Sequence, residues 1–328
     1  MKRLILIVAV AACTGPQDDP SQVFDLRVIG ASFSPPEVMA PSCQGLIGGI
    51  ADGGSGGALA AFIAFAVPIE LKWLVLDPNG GGRDITYELR ACANPGDLEC
   101  DDEGDWLPLT QGTMKPGELS YTVPLATTFL SGSLFDGGQP LLLEVINQDQ
   151  FRGFGGIRVP VVLHVKAGDE EVFAQKLMVY NCRFFEDQLV NVQPVIPGVT
   201  VNGREWPESL DGGPTINLSL SGEREFEMAP IDFAPLEEEY VVPSFMLEPV
   251  RLKESWKFSW HASLGRFSSP TTGGTDFTGR VGEPESSWLP RIDGGTAGLF
   301  VTDVDFWFVV RDGRGGASWI TRKAHFAP

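Results

Sequence analysis

From Ile157 to Asn181 the chain reads IRVPVVLHVKAGDEEVFAQKLMVYN, an alternation broken once by a glycine turn. Ile157, Val159, Val161, Leu163 and Val165 share one face, with Arg158, His164 and Lys166 on the other. Side chains that repeat every two residues segregate on a strand and scatter on a helix. The stretch is therefore a hairpin, Glu171 to Asn181 returning after Ala167-Gly168-Asp169. The pattern recurs: Glu70 to Asp77 and Ile85 to Ala93 flank the turn Pro78-Asn79-Gly80-Gly81-Gly82. Near the end, Phe300, Val304, Phe306, Phe308 and Val310 alternate with Asp303, Asp305 and Trp307. Asp312-Gly313-Arg314-Gly315-Gly316 then turns the chain into Ala317 to Phe326. With 39 glycines, 25 prolines and no amphipathic helices between strands, the pattern argues against a parallel α/β sheet. It predicts an all-β protein made of antiparallel sandwiches.

Prolines cluster again at Gln188 to Pro197 (QLVNVQPVIP), after the last cysteine. The expected organisation is a first β-sandwich domain over residues 23–190, containing the disulfides, and a second over 191–328 without cysteine. Asp77-Pro78-Asn79-Gly80 followed by Ile85-Thr86-Tyr87-Glu88-Leu89 resembles the turn-and-strand signature of bacterial immunoglobulin-like modules of the PKD and cadherin-like kind. Trp256-Lys257-Phe258-Ser259-Trp260, Gly265-Arg266-Phe267 and Val309 to Gly316 resemble the strand pattern and closing turn of the same modules. The first segment departs by inserting Gly81-Gly82-Arg83 before its strand and by containing a cysteine loop. The resemblance implies two immunoglobulin-like sandwiches in tandem, and such modules serve as spacers, adhesive units or accessory domains.

The start, MKRLILIVAVAACTGPQDDP, has a different character. Lys2 and Arg3 precede the apolar run Leu4 to Ala12, which spans about 14 Å as a helix, half of a bilayer core. That is a secretory signal peptide over residues 1–12. Val10-Ala11-Ala12-Cys13 resembles the lipobox of bacterial lipoproteins, in which the cysteine sulfur receives diacylglycerol and the chain is cut before it. By that resemblance Cys13 is the lipidation site, and two or three acyl chains make a stable anchor. Thr14, where inner-membrane lipoproteins often have Asp, implies the outer membrane. The alternative is an ordinary cleaved signal ending Ala-x-Ala, with Cys13 incidental. Residues 13–22 then form the lipidated cysteine and a flexible polar tether.

The formal charge is −19, and −21 without Lys2 and Arg3. Nucleic acid and anionic lipid surfaces both need clustered Lys and Arg, so this balance excludes nucleic acid as a partner. Five cysteines are odd for an exported protein; lipidation of Cys13 leaves four. Cys92 and Cys100 bracket the turn Asn94-Pro95-Gly96, which brings them together and leaves Cys43 with Cys182. A metal site is the alternative, and no CxxC or histidine at ligand spacing supports it.

Gly53-Gly54-Ser55-Gly56-Gly57 fits the nucleophile-elbow pattern, but its flanks lack the strand–turn–helix context, so it is expected to be a loop. His164, His261 and His325 stand apart from one another. Asp97 to Asp105 crowds six carboxylates, which implies a solvated loop or a calcium ion, and Asp303, Asp305 and Asp312 form a weaker acidic set. No catalytic, cofactor-binding or metal residue is expected. The functional expectation is a non-catalytic, lipid-anchored envelope protein with a structural, adhesive or assembly-subunit role, its partner an envelope protein or glycan. The alternatives are a ligand- or glycan-binding lipoprotein using loops such as 94–105 or 268–297, and an extracytoplasmic hydrolase.

Overall fold

The structure is a computed structural model describing residues 19–43, 67–94, 96–100, 106–123, 141–149, 155–219, 225–276, 278–290 and 302–327. The first sandwich contains β1 (Arg27–Ser34), β2 (Glu37–Ala40), β3 (Ile69–Leu76), β4 (Ile85–Cys92), β5 (Trp106–Met114) and β6 (Gly117–Val123). A short helix α1 (Leu141–Gln148) precedes β7 (Ile157–Ala167) and β8 (Glu170–Cys182). Two sheets, β1-β3-β6 and β2-β8-β7-β4-β5, close on a core that includes Phe33, Leu71, Trp73, Ile85, Leu89, Val161 and Leu163. Each such side chain contributes about 1.5–3 kcal/mol on burial. The alternation of β7 sends Ile157, Val159, Val161, Leu163 and Val165 inward as expected. Val162, on the other face, is buried too, under the Cys92–Cys100 loop with Trp106 and Phe173.

The second sandwich contains β9 (Val199–Val201), β10 (Arg204–Glu205), β11 (Ile216–Ser219), β12 (Phe226–Pro230), β13 (Glu239–Pro243) and β14 (Pro249–Lys253). It continues with β15 (Lys257–Ala262), β16 (Arg266–Phe267), β17 (Thr271–Gly273), β18 (Ser286–Leu289), β19 (Thr302–Arg311) and β20 (Ala317–Ala327). Its sheets are β10-β9-β12-β18-β16 and β11-β20-β19-β15-β17, with β13-β14 a separate hairpin. The core is aromatic: Phe306 meets Trp206 at 5.0 Å and Trp288 at 5.1 Å, and Phe308 meets Trp260 at 5.3 Å, all edge to face. Each indole N–H is satisfied, Trp206 by Thr215, Trp260 by Thr272 and Trp288 by the Leu264 carbonyl.

Both units share one plan: an early short strand runs parallel to the last strand, which pairs with the strand before it. This is an immunoglobulin-like sandwich, present twice. Each sandwich, expected to be antiparallel, thus contains one parallel pair among its described strands. β1 and β2 are separated by two residues and keep one direction while the chain changes sheets, so β2 lands parallel to β8. The turn after Asp77 likewise joins β3 and β4 across the two sheets rather than as a hairpin.

The sandwiches meet along their outward faces. Val23, Ile29, Leu74 and Leu76 pack against Trp307 and Val309, with Trp319 alongside. Trp307, on the polar phase of β19 in sequence, is buried here because the first sandwich covers that face. A Cβ at Gly30 would come 2.8 Å from the Trp319 ring, so only glycine fits this approach. Residues 183–198 form a strap rather than a loose connection: Gln193 donates to the Phe33 carbonyl and accepts from the Ala317 N–H at 2.8 Å.

Residues 19–22, expected to belong to a flexible tether, are docked on the second sandwich. Ser21 is fully buried; its carbonyl accepts from the Ala262 N–H and its hydroxyl from the Phe267 N–H, both at 2.9 Å. Val23 N–H donates back to the Ala262 carbonyl at 2.9 Å. Beside them His261 Nδ1 donates to the Pro20 carbonyl at 3.2 Å, and burial, aided by Arg311 and Arg27, pushes this imidazole down to about 4. The native ring then binds fewer protons than the unfolded one between pH 4 and about 6.5, so stability rises with pH across that window. Urea titrations should show a loss on the order of 2 kcal/mol from pH 6.5 to 4 that His261→Gln removes; an unchanged difference between the two proteins would refute it.

Candidate functional site

A cleft of about 570 Å³ lies between the sandwiches. Its walls are β2 and β8, the start of β7, the strap, the β13–β14 hairpin and the turn between β19 and β20. The turn is held by Asp312, a buried carboxylate. Its Oδ1 accepts from the N–H groups of Arg314, Gly315 and Gly316 at 2.7, 3.0 and 2.9 Å. Its Oδ2 accepts from Asn191 Nδ2 of the strap at 2.9 Å. Burial raises the Asp312 pKa despite these donors, the cost of placing a charge between two sandwiches.

Arg314 leaves that turn and spans the site. Its Nη1 donates to Glu238 and Glu254, each at 3.1 Å, its Nη2 to the Leu189 carbonyl at 3.3 Å, and its guanidinium lies 4.3 Å over the Tyr240 ring. Glu254 also accepts from the Trp256 indole at 2.9 Å. Glu37 of β2 accepts from Asn181 at 2.9 Å and from the Asn191 N–H at 3.0 Å. Burial, with Glu254 nearby, raises the Glu238 pKa. With Glu37 3.9 Å from its Nη2, this one arginine ties together β2, the strap and the hairpin, and Asp312 clamps the same strap.

Two further cations reach the cleft. Arg158 of β7 donates, among the described residues, to the Gly156 carbonyl at 3.3 Å. Lys176 makes no hydrogen bond or ion pair among the described residues, and burial pushes it down to about 8, with Asp312 opposing. Its position in sequence carried a signal: it occupies the phase of β8 that otherwise holds Ala174, Met178 and Tyr180, all core-facing. A lysine on an apolar phase marks a side chain that leaves the interior for something polar. The arrangement can bind and orient acidic or hydrogen-bonding groups.

Cys43 pairs with Cys182 and Cys92 with Cys100, at Cα separations of 5.0 and 5.8 Å. Cys13 lies outside the described residues, as do Ser55 and residues 101–105 of the acidic loop. Asp97 Oδ1 accepts from the Glu99 and Cys100 N–H groups, closing that loop. Asp303 pairs with His325 at 2.8 Å and Asp305 with Lys323 at 3.3 Å; Asp312 stands at the far end of β19, so these three do not converge. His164 pairs with Glu171 at 2.6 Å and stacks on Phe173 at 4.2 Å. The histidine partners are therefore two carboxylates and a carbonyl, in three different places. Among the described residues no cluster of three or more His, Cys, Asp or Glu could hold a metal, and no helix is long and apolar enough to cross a membrane.

The docked N-terminal segment and the cleft lie at opposite ends of the same strands. Ala262, opposite Phe306, anchors Ser21 and Val23; Lys257, opposite Arg311, adjoins the Asp312 turn. The five steps between them measure roughly 16 Å.

No family model and no curated protein matches the chain. Among solved structures, activated α-2-macroglobulin of Escherichia coli aligns at 10% identity over 95% of this chain and 22% of its own, with a TM-score of 0.23. Extracellular domains 3–5 of Drosophila OTK align at 8% identity over 94% of this chain and 68% of their own, TM-score 0.22. The human desmocollin-1 ectodomain aligns at 12% identity over 91% and 37%, TM-score 0.17. The chain spans about a fifth of the first of these, and scores at this level carry no argument about fold or function.

Proposed function

We propose that this chain is a non-catalytic, lipid-anchored protein of the bacterial envelope, in a structural, adhesive or assembly role, that holds a macromolecular partner at the cleft between its sandwiches. The observation that carries the reading is the polarity of the molecule. The chain enters through residues 19–22 at one end of β15, and the cleft, strap and hairpin occupy the other. A lipid on Cys13 would leave the cleft facing away from the membrane. Two disulfides suit an oxidising compartment outside the cytoplasm. The interlocked strap and Arg314 network support a rigid holder, because both sandwiches are fixed by side chains that one interdomain motion would strip of partners.

The anchor is tested by feeding cells an alkyne fatty acid. Wild-type chain should take up label and sediment with membranes, and Cys13→Ser should do neither. A wild type that stays unlabelled and soluble overturns the anchor. Outer-membrane placement is read by separating the two membranes on a sucrose gradient.

A further inference from the structure

One wall of the cleft is a sheet edge with no partner strand. β2 pairs only with Val179 to Cys182, so from Glu170 to Met178 β8 has β7 on one side and, among the described residues, no strand on the other. The two-residue turn at Gly168-Asp169 makes Ala167 and Glu170 the closing hydrogen-bonded pair. Even-numbered residues of β8 therefore exchange bonds with β7, and Phe173, Gln175 and Leu177 direct their N–H and C=O groups outward. None of these finds a backbone partner among the described residues. Gln175 and Leu177 line the cleft.

The facing wall has a second open edge. Among the described residues β13 pairs with β14 alone. Ser244 N–H donates to the Glu248 carbonyl and Glu254 N–H to the Glu238 carbonyl, both at 2.9 Å, which puts the even-numbered residues of β13 on the β14 side and turns Val241 away from it. Tyr240, Val241 and Val242 line the same cleft.

We propose that the cleft receives an extended peptide segment of a partner protein, which adds as a strand to the free edge of β8 between Phe173 and Leu177 and places an acidic side chain toward Lys176. The proposal rests on the partner-holding reading above and names its mode. In strand addition, main-chain bonds supply affinity and side-chain positions supply choice. Charge complementarity selects the acidic partner: in a chain of charge −19, the cleft gathers Arg158, Lys176 and Arg314 beside Glu37, and among the described residues Arg314 is paired with carboxylates while Lys176, with Asp312 in its field, forms no ion pair. A lysine pointing inward on an edge strand also blocks indiscriminate pairing, and an incoming acid at that register removes the block. Lys176, poised near pH 8 between Asp312 and Arg311, would take up a proton on meeting that acid.

The test uses the purified full chain and the synthetic peptide acetyl-TVEVEVT-amide, its lysine counterpart TVKVKVT, and a TVEVEVT N-methylated at alternate residues. The acidic peptide should bind at least tenfold more tightly than the other two, protect the Gln175 and Leu177 amides from hydrogen exchange, and consume protons at pH 8. Leu177→Pro removes only an outward N–H and should lose at least tenfold in binding with the melting temperature kept. Should that variant fail to fold, Lys176→Gln should lower acidic-peptide affinity about fivefold and abolish the proton uptake. The proposal is overturned by equal binding of the plain and N-methylated peptides, by binding of none, or by slow exchange of both amides in the free chain. Peptide binding with an unlabelled Cys13 overturns the anchor alone; a labelled Cys13 without peptide binding overturns the strand site alone.

Discussion

Replacing Cys43 and Cys182 together by serine should destabilise the protein by about 5 kcal/mol, roughly twice the loss from replacing Cys92 and Cys100. The difference follows from loop length. The bridges close 139 and 8 residues of sequence, and the entropy removed from the unfolded chain grows with the logarithm of that number. A domain's whole stability is about 5–15 kcal/mol, so the longer bridge approaches the margin between folded and unfolded. It also secures the four residues of β2, whose sheet partner among the described residues is the end of β8, Val179 to Cys182. Denaturant midpoints of the two double-serine variants, measured without reductant, check the ratio. Equal losses would mean that the unfolded chain is restrained in some other way.

Asp312→Ala should cost about 3–5 kcal/mol, the range for uncovering a buried charged partner. Alanine strands the N–H groups of Arg314, Gly315 and Gly316 and the Asn191 amide, each buried or half-buried. It also releases the strap, since Asn191 holds Glu37 through its backbone N–H. The melting temperature should fall on the order of 10 °C. Asp312→Asn should fall between alanine and wild type, because its one carbonyl can still serve part of the turn. A loss below about 1 kcal/mol for alanine would show that the sandwiches hold together without this carboxylate.

The sheets were legible because their signal is local. Ile157 to Val165 and Val304 to Val310 state their faces in a period of two, and burial followed that statement. The parallel pairs were not legible: nothing in Glu37 to Ala40 or Ile216 to Ser219 says which distant strand each will meet. Trp307 shows a second limit. Its phase was right, but whether an outward face meets water or another sandwich depends on the whole chain. The cysteine pairs were accessible through a turn signal and elimination. The cleft was not, since Arg158, Lys176 and Arg314 lie over 150 residues apart end to end and converge only through the strap. Lys176 alone carried a trace, a charge on an apolar phase.

The docking of residues 19–22 decides how the protein bears load. A pull on the chain ahead of Asp19 first loads the bonds of residues 20–23 to the second sandwich, one at His261, two at Ala262 and one at Phe267, before it reaches β1. If those yield, the stress passes to the contact of Ile29 and Leu74 with Trp307 and Val309, which must slide rather than unzip. The first few residues therefore act as a fuse: they can peel away under tension and lengthen the stalk while both sandwiches and the cleft stay intact.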